Sequence, residues 1–250
     1  MYKEMRKYGS TPQAWANPFF KSYISLIHTL KIHLLTRDIR WRQIAQRLPK
    51  AARVLDAGCG MGEWVVFMSK KGLHPCGLDF SGEMISFLKL KHPEQEWKQG
   101  IVQDMPFPSD SFDAVIAWGV IEHDESGPQK ALKEFHRILK VGGRLFVTVP
   151  IGSPAQRQSS ALQFNKPGNE TFFQYFMTPD ELKDFIYQAG FEFEIVRPSG
   201  RHYALIFPGL YRCLTDQPPL LSRVTGLLFK PILAFRDEAV NLILAVARKL

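Results

Sequence analysis

The run Val54-Leu55-Asp56-Ala57-Gly58-Cys59-Gly60-Met61-Gly62 places three glycines on alternate positions directly after an apolar stretch. Glycine at such a turn lets the main chain approach a ligand, and the N–H groups of a following helix can receive a carboxylate or phosphate. Seventeen residues beyond Gly62, Asp79 ends the next apolar run in GLDF. Its two carboxylate oxygens match the two vicinal hydroxyls of a ribose. A dinucleotide-binding turn requires G-x-G-x-x-G, whereas here the third glycine falls one residue early and Glu63 occupies the last position. An acidic side chain there pushes against a pyrophosphate. Alone, Asp56 and Asp79 also fit simple helix caps, and Cys59 fits a small buried loop residue.

These groups need a scaffold, and the pattern supplies one. After Pro49 short apolar runs alternate with helical periods: ARVLDAG, MGEWVVFMSKKG, HPCGLDF, SGEMISFLKLKH, EWKQGIVQ, FDAVIAW, QKALKEFHRILK and GRLFVTVP. Strand, helix and strand in this order predict an α/β, doubly wound, Rossmann-like sheet of seven mostly parallel strands. VLDAG and DAVIAW lack polar alternation, as central strands covered on both faces do. TPDELKDFIYQAGFEFEIVR predicts a helix opened by Thr178 and Pro179, closed by Gly190 and followed by a strand, and VNLILAVARK fits the last strand.

Two helices are expected before this unit. Phe20, Tyr23, Ile24, Ile27, Leu30 and Leu34 recur at helical spacing from Asn17 to Leu34, and a second helix is expected from Arg37 to Leu48. Residues 1–49 are thus expected to cap a domain spanning 50–250, with an apolar, proline-interrupted insertion at 198–238.

A chain of 250 residues with 45% hydrophobic content can bury one full-sized core. Cys59, Cys76 and Cys213 are odd in number and lack C-x-x-C spacing, so neither a disulfide framework nor a thiolate metal site is suggested. No signal-peptide pattern and no membrane-length apolar run is found, so the expected compartment is the reducing cytoplasm. The net charge of +8 is uneven. Residues 1–50 carry 10 Lys/Arg against 2 Asp/Glu, residues 51–200 carry 15 against 19, and residues 201–250 carry 7 against 3. Basic ends suit phosphates or anionic lipid, or are simply a solvated surface.

As a set, VLDAGCGMGE, GLDFSGEMI, DMPFPSDSFDAVIAWGVIEHD and FHRILKVGGRLFVTVP resemble the class I methyltransferases that use S-adenosylmethionine. Within that class they resemble the broad type 11 group, which includes quinone-biosynthesis enzymes. The resemblance covers roughly residues 50–195, with Val141 standing where the family has proline. It implies that the backbone around Gly58, Cys59, Gly60 and Gly62 packs on the methionine part of S-adenosyl-L-methionine. Asp56 would then orient the ammonium group, Asp79 hold the ribose, Phe80 lie against adenine and Trp118 complete the cofactor pocket. The family has an acidic residue after the glycine of the third loop, whereas Gly100 is followed by Ile101. The backbone N–H of Val102 can still serve adenine, with Gln103 or Asp104 replacing the lost acceptor.

The acceptor is less legible. His123, in VIEHD after the fourth strand, stands where an acceptor arrives in this fold, and an ordinary imidazole pKa near 6.5 suits a general base. Glu-His here also occurs in the family as a helix-start or supporting pair, and two adjacent ligands are too few for a metal site. AWGVIEHD has neither the Asn/Asp-Pro-Pro-aromatic signature of base amino methylation nor a Pro-Cys nucleophile, so nucleic acid is disfavoured. A small-molecule or lipid-like acceptor, with oxygen as the preferred methylated atom, is the expectation; the alternatives are a non-catalytic protein that binds the cofactor for regulation or assembly, and an RNA methyltransferase. The stretch Tyr203 to Phe235 interleaves Arg212, Arg223 and Lys230 with leucines and phenylalanines. It suits a lid over the acceptor or, with the first helix, peripheral contact with an anionic membrane.

Overall fold

The computed structural model describes Ile32 and residues 35–151, 174–201 and 241–250. The Asn17 to Leu34 helix apart from Ile32, Cys213 and nearly all of the 198–238 insertion lie outside the described residues, and with them the lid and membrane expectations. Among the described residues no helix is long and apolar enough to cross a membrane.

A one-turn 3-10 helix at Leu35–Arg37 leads into α1 (Ile39–Ala45). The single helix expected over 37–48 is thus split, because Asp38 is extended and its side chain caps the Arg40 N–H at 2.8 Å. The chain then alternates as the sequence pattern requires: β1 (Arg53–Ala57), α2 (Glu63–Lys70), β2 (His74–Asp79), α3 (Gly82–Lys91), β3 (Glu96–Gln99) and β4 (Phe112–Trp118). A 3-10 turn at Ile121–His123 precedes α4 (Gln129–Ile138), β5 (Leu139–Ile151), α5 (Pro179–Gln188), β6 (Phe191–Arg201) and β7 (Asn241–Lys249). β3 is shorter than the expected EWKQGIVQ strand, because residues 100–104 turn back on themselves, with an Ile101–Asp104 bridge. Residues 198–201, assigned from sequence to the insertion, complete β6.

The seven strands form one sheet in the order β3-β2-β1-β4-β5-β7-β6, parallel except for β7, which runs antiparallel between β5 and β6. From β1 the chain winds outward through β2 and β3, then crosses back to β4 on the other side. The carboxyl ends of β1 and β4 therefore flank a topological switch point, where open α/β sheets form their ligand crevice.

Adjacent residues of the central strands point to opposite faces. Leu55, Val115 and Val147 pack with Phe135 of α4 and Leu182 of α5, whereas Val54, Ile116 and Phe146 pack with Ile44 of α1 and Phe67 of α2. Burial on both sides explains why these strands read as unbroken apolar runs. The last strand is tied down where Lys249 Nζ donates to Leu139 O at 2.7 Å and meets Asp110 at 2.8 Å.

The start of α5 follows its sequence signature. The Thr178 hydroxyl accepts from the Glu181 N–H at 3.2 Å and the Glu181 carboxylate accepts from the Thr178 N–H at 2.7 Å, with Pro179 opening the helix. Thr178→Ala is expected to lower the unfolding free energy by about 1 kcal/mol, read as a shifted urea midpoint at unchanged slope.

Candidate active site

The turn after β1 is held by its own main chain. The Gly58 and Cys59 N–H groups donate to Leu78 O (2.8 and 2.9 Å), and Gly62 N–H donates to Cys59 O (2.8 Å). Gly60 N–H donates to a carboxylate oxygen of Asp79 at 2.9 Å. These loop amides are thus already engaged, and what the turn offers a ligand is its shape.

All three glycines have left-handed φ (79°, 50° and 74°), which favours glycine, but they differ in what surrounds them. A Cβ on Gly58 would stand 2.7 Å from a methyl of Val120, and one on Gly62 would stand 2.5 Å from the Trp97 ring and 2.9 Å from Leu88. Both positions serve internal packing. A Cβ on Gly60 would meet nothing within 4 Å, so this is where the loop is open to a bound molecule.

Asp79, at the end of β2, is almost fully buried and accepts from the Gly60 and Ser81 N–H groups (2.9 and 3.0 Å). Burial pushes its pKa up, against the lowering effect of the N–H groups around it. Each oxygen keeps further acceptor capacity for a ribose hydroxyl. The same carboxylate that would bind the ligand therefore also fastens the glycine loop.

Asp56, 2% exposed, is raised well above the usual carboxylate range, chiefly by burial and then by the neighbouring charges of Glu63 and Asp79. The opposing influence comes from Arg40. Arg40 was not singled out from the sequence, where it is one of ten cations in the first fifty residues. In the structure it is 3% exposed, with its guanidinium 4.6 Å from the Trp64 ring and 5.0 Å from the Trp118 ring. It is paired with Asp38 through two bonds of 3.0 and 2.7 Å. Only the fold shows which arginine turns inward. A cluster of carboxylates with one buried guanidinium suits a ligand carrying ammonium, sulfonium and carboxylate groups, and opposes a pyrophosphate.

Phe80 and Ile101, each 38% exposed, present apolar surface just beyond β2 and β3, consistent with a slot for a flat base. Val102 packs against the core beside them. Gln103, expected as an acceptor for adenine, donates its side-chain N–H to Asp124 at 2.9 Å. Asp104 N–H donates to Ile101 O at 3.3 Å and closes the turn. The Trp118 ring stacks at a tilt against Trp64, 5.3 Å between centroids, and its buried indole N–H has no acceptor among the described residues. The Cys59 thiol is buried and its pKa is pushed far up by burial and by Asp56 and Asp79, which suits an unreactive packing residue.

On the β4 side, Gly119 leads into the 3-10 turn that carries Glu122 and His123. His123 is half-buried, and its N–H donates to Val120 O at 3.2 Å. Glu122 is 2% exposed, and its Oε2 has no hydrogen-bond partner among the described residues. Burial pushes its pKa up to about 8, so at neutral pH it is held as a neutral acid. Residues 174–177 return across this turn, with Tyr175 N–H donating to Glu122 O at 2.9 Å and Met177 N–H to Pro150 O at 3.0 Å. Among the described residues no group of three or more His, Cys, Asp or Glu side chains is arranged to hold a metal.

Fold and site together define a class I methyltransferase that uses S-adenosylmethionine. The chain belongs to the family described as "Methyltransferase domain", whose model matches residues 31–195 and so takes in the segment bearing Arg40. It is 27% identical over 204 residues to the demethylmenaquinone methyltransferase of Chlorobaculum parvum, covering 75% of this chain and 83% of that one. It is 33% identical over 119 residues to the demethylmenaquinone methyltransferase of Listeria welshimeri, covering 43% of this chain; there it spans half of the relative's length. Among solved structures, an S-adenosylmethionine-dependent methyltransferase of Methanosarcina mazei shares the fold, with a TM-score of 0.62 at 18% identity over 83% of this chain and 96% of that one.

The unequal glycines and the buried acid each yield a test. Gly60→Val should leave folding within about 1–2 kcal/mol of wild type yet abolish binding of S-adenosylhomocysteine in calorimetry. Gly62→Ala, forcing a methyl into Trp97, should lower stability by about 1–3 kcal/mol. For Glu122 the folded pKa exceeds the unfolded one, so folding takes up a proton and this contribution falls as pH rises from about 4.5 to about 8. Glu122→Gln removes that proton linkage. Its stability relative to wild type should therefore rise by roughly 2–4 kcal/mol between about pH 5 and pH 8, and parallel urea-midpoint curves would contradict the buried neutral acid.

Proposed function

We propose that this methyltransferase acts on a small, apolar acceptor of the quinol type. The supporting observation is the 204-residue match to a demethylmenaquinone methyltransferase, which takes in 75% of this chain. The acceptor side agrees with it. The residues crossing the β4 turn, Tyr175 and Met177, are buried and pack with Ile121 of that turn, so the neighbouring surroundings favour an apolar molecule over a charged polymer.

When bound, the cofactor supplies a methyl group already activated on a sulfonium. The protein's task is then to bring a nucleophile into line and keep water away, and positioning can supply most of the acceleration. Asp79 would hold the ribose, while Asp56 and Arg40 would face the ammonium and carboxylate of the methionine part. Phe80 and Ile101 would flank the adenine. His123 would take the proton of an acceptor hydroxyl, and the electron pair released makes the acceptor the nucleophile that receives the methyl.

Methyl-labelled S-adenosylmethionine should transfer label to a hydroxylated naphthoquinol with a short prenyl tail, identified by mass spectrometry, and not to transfer RNA. Label in RNA, or in polar metabolites alone, would overturn the acceptor class. His123→Ala should reduce kcat by about 10²- to 10⁴-fold with cofactor affinity nearly unchanged; a loss of only a few-fold reassigns His123 to packing.

A further inference from the structure

The loops after β3 and β4 are joined by one carboxylate. Asp124 Oδ2 accepts from the Gln103 side-chain N–H at 2.9 Å, across twenty-one residues of sequence. Its other oxygen accepts from both the N–H and the hydroxyl of Ser126, each at 2.9 Å, and its carbonyl accepts from the Gly127 N–H at 2.9 Å. Asp124 is thereby locked in its own turn and presents a fixed acceptor to the neighbouring loop.

That neighbouring loop starts at the ribose carboxylate. Gly100 N–H donates to Asp79 O at 3.0 Å, and the chain then makes the Ile101–Asp104 turn whose apolar surface lies beyond β3. Further along, the same loop is held from α4: Met105 N–H donates to Glu134 at 2.9 Å, and Arg137 donates to Phe107 O at 2.8 Å and Met105 O at 3.1 Å. Residues 100–104 are thus suspended between Asp79 at one end and the α4 contacts at the other, with Gln103 tied sideways to Asp124. The β4 turn itself is bound to the acceptor side, since Tyr175 donates its N–H to Glu122 O and its hydroxyl to Glu125 O.

We propose that Asp124 is a positioning residue for the cofactor: through Gln103 it holds the 100–104 turn in the place where that turn forms one wall of the adenine slot. This rests on the reading of the carboxyl ends of β1 to β4 as the S-adenosylmethionine site. In this chain Ile101 stands where a carboxylate would grip adenine, so the wall works by shape, and shape requires that the turn be held. Without the Asp124 bond the turn keeps its sequence and its apolar surface but samples other positions, and cofactor binding carries the ordering cost.

Calorimetry with S-adenosylhomocysteine tests this, using the full chain and the variants Asp124→Ala, Asp124→Asn, Gln103→Ala and the Asp124→Ala/Gln103→Ala double. Asp124→Ala and Gln103→Ala should each weaken binding about tenfold, and the double should be no weaker than the weaker single, because all three lack the Gln103–Asp124 bond that holds the turn. Asp124→Asn, which can still accept from Ser126 and pair with a rotated Gln103 amide, should stay within about threefold of wild type. In turnover the loss should appear in the KM for S-adenosylmethionine and spare kcat. Glu125→Ala removes the same charge from the same turn and should bind as wild type, separating position from electrostatics.

Singles that weaken binding additively, or an Asp124→Ala variant that binds as wild type, would overturn the proposal. If Asp124→Ala does not fold, Gln103→Ala alone decides, since it breaks the same bond from the other loop. Wild-type protein that fails to bind S-adenosylhomocysteine would instead refute the cofactor reading itself, a result distinct from failure of the Asp124 role.

Discussion

The carboxylate of Asp79 joins the two halves of the site. It ends β2 deep in the sheet, takes the Gly60 amide from the loop after β1 and caps the turn into α3 through Ser81. A buried carboxylate left without donors is costly, so these bonds fix the loop and the acid together. The loop cannot shift without stranding the charge, and the charge cannot move without releasing the loop. Gly100 N–H on the Asp79 carbonyl extends the same anchor to the third strand's loop.

Around this anchor the electrostatics are organised for a cation. After burial, Glu63 and Asp79 raise the proton affinity of Asp56, with Arg40 as the opposing charge. Buried acids perturbed in this way are a common pattern at functional sites. Trp64 and Trp118, in contact with each other and with the Arg40 guanidinium, link that charge on α1 to α2 and to the end of β4.

The turn after β4 is built on another principle. Glu122 is kept neutral by burial, and the half-buried His123 is the next residue, so one short turn carries two titratable groups in contrasting surroundings. That turn is tied to residues 174–177 by backbone hydrogen bonds and to the β3 loop by Asp124. The loops after β3 and β4 are therefore mechanically continuous through residues 119–127, which are held both by these polar contacts and by the packing of Ile121 in the core.

The strand and helix order, the glycine turn, Asp56 and Asp79 and the capped start of α5 were all legible in the sequence. Each is a local feature: periodicity, turn chemistry and the ends of apolar runs depend on residues a few positions apart. The shortened β3, the split at Asp38, the inward turn of Arg40 and the engagement of Gln103 by Asp124 were decided by the tertiary structure. A lone arginine among ten cations, or a glutamine in a polar loop, has no local signature of its partner, because that partner is brought close only when distant strands pair. The same holds for the glycines: sequence shows three alike, whereas Val120 and Trp97 pack against two of them and leave Gly60 alone open to a ligand.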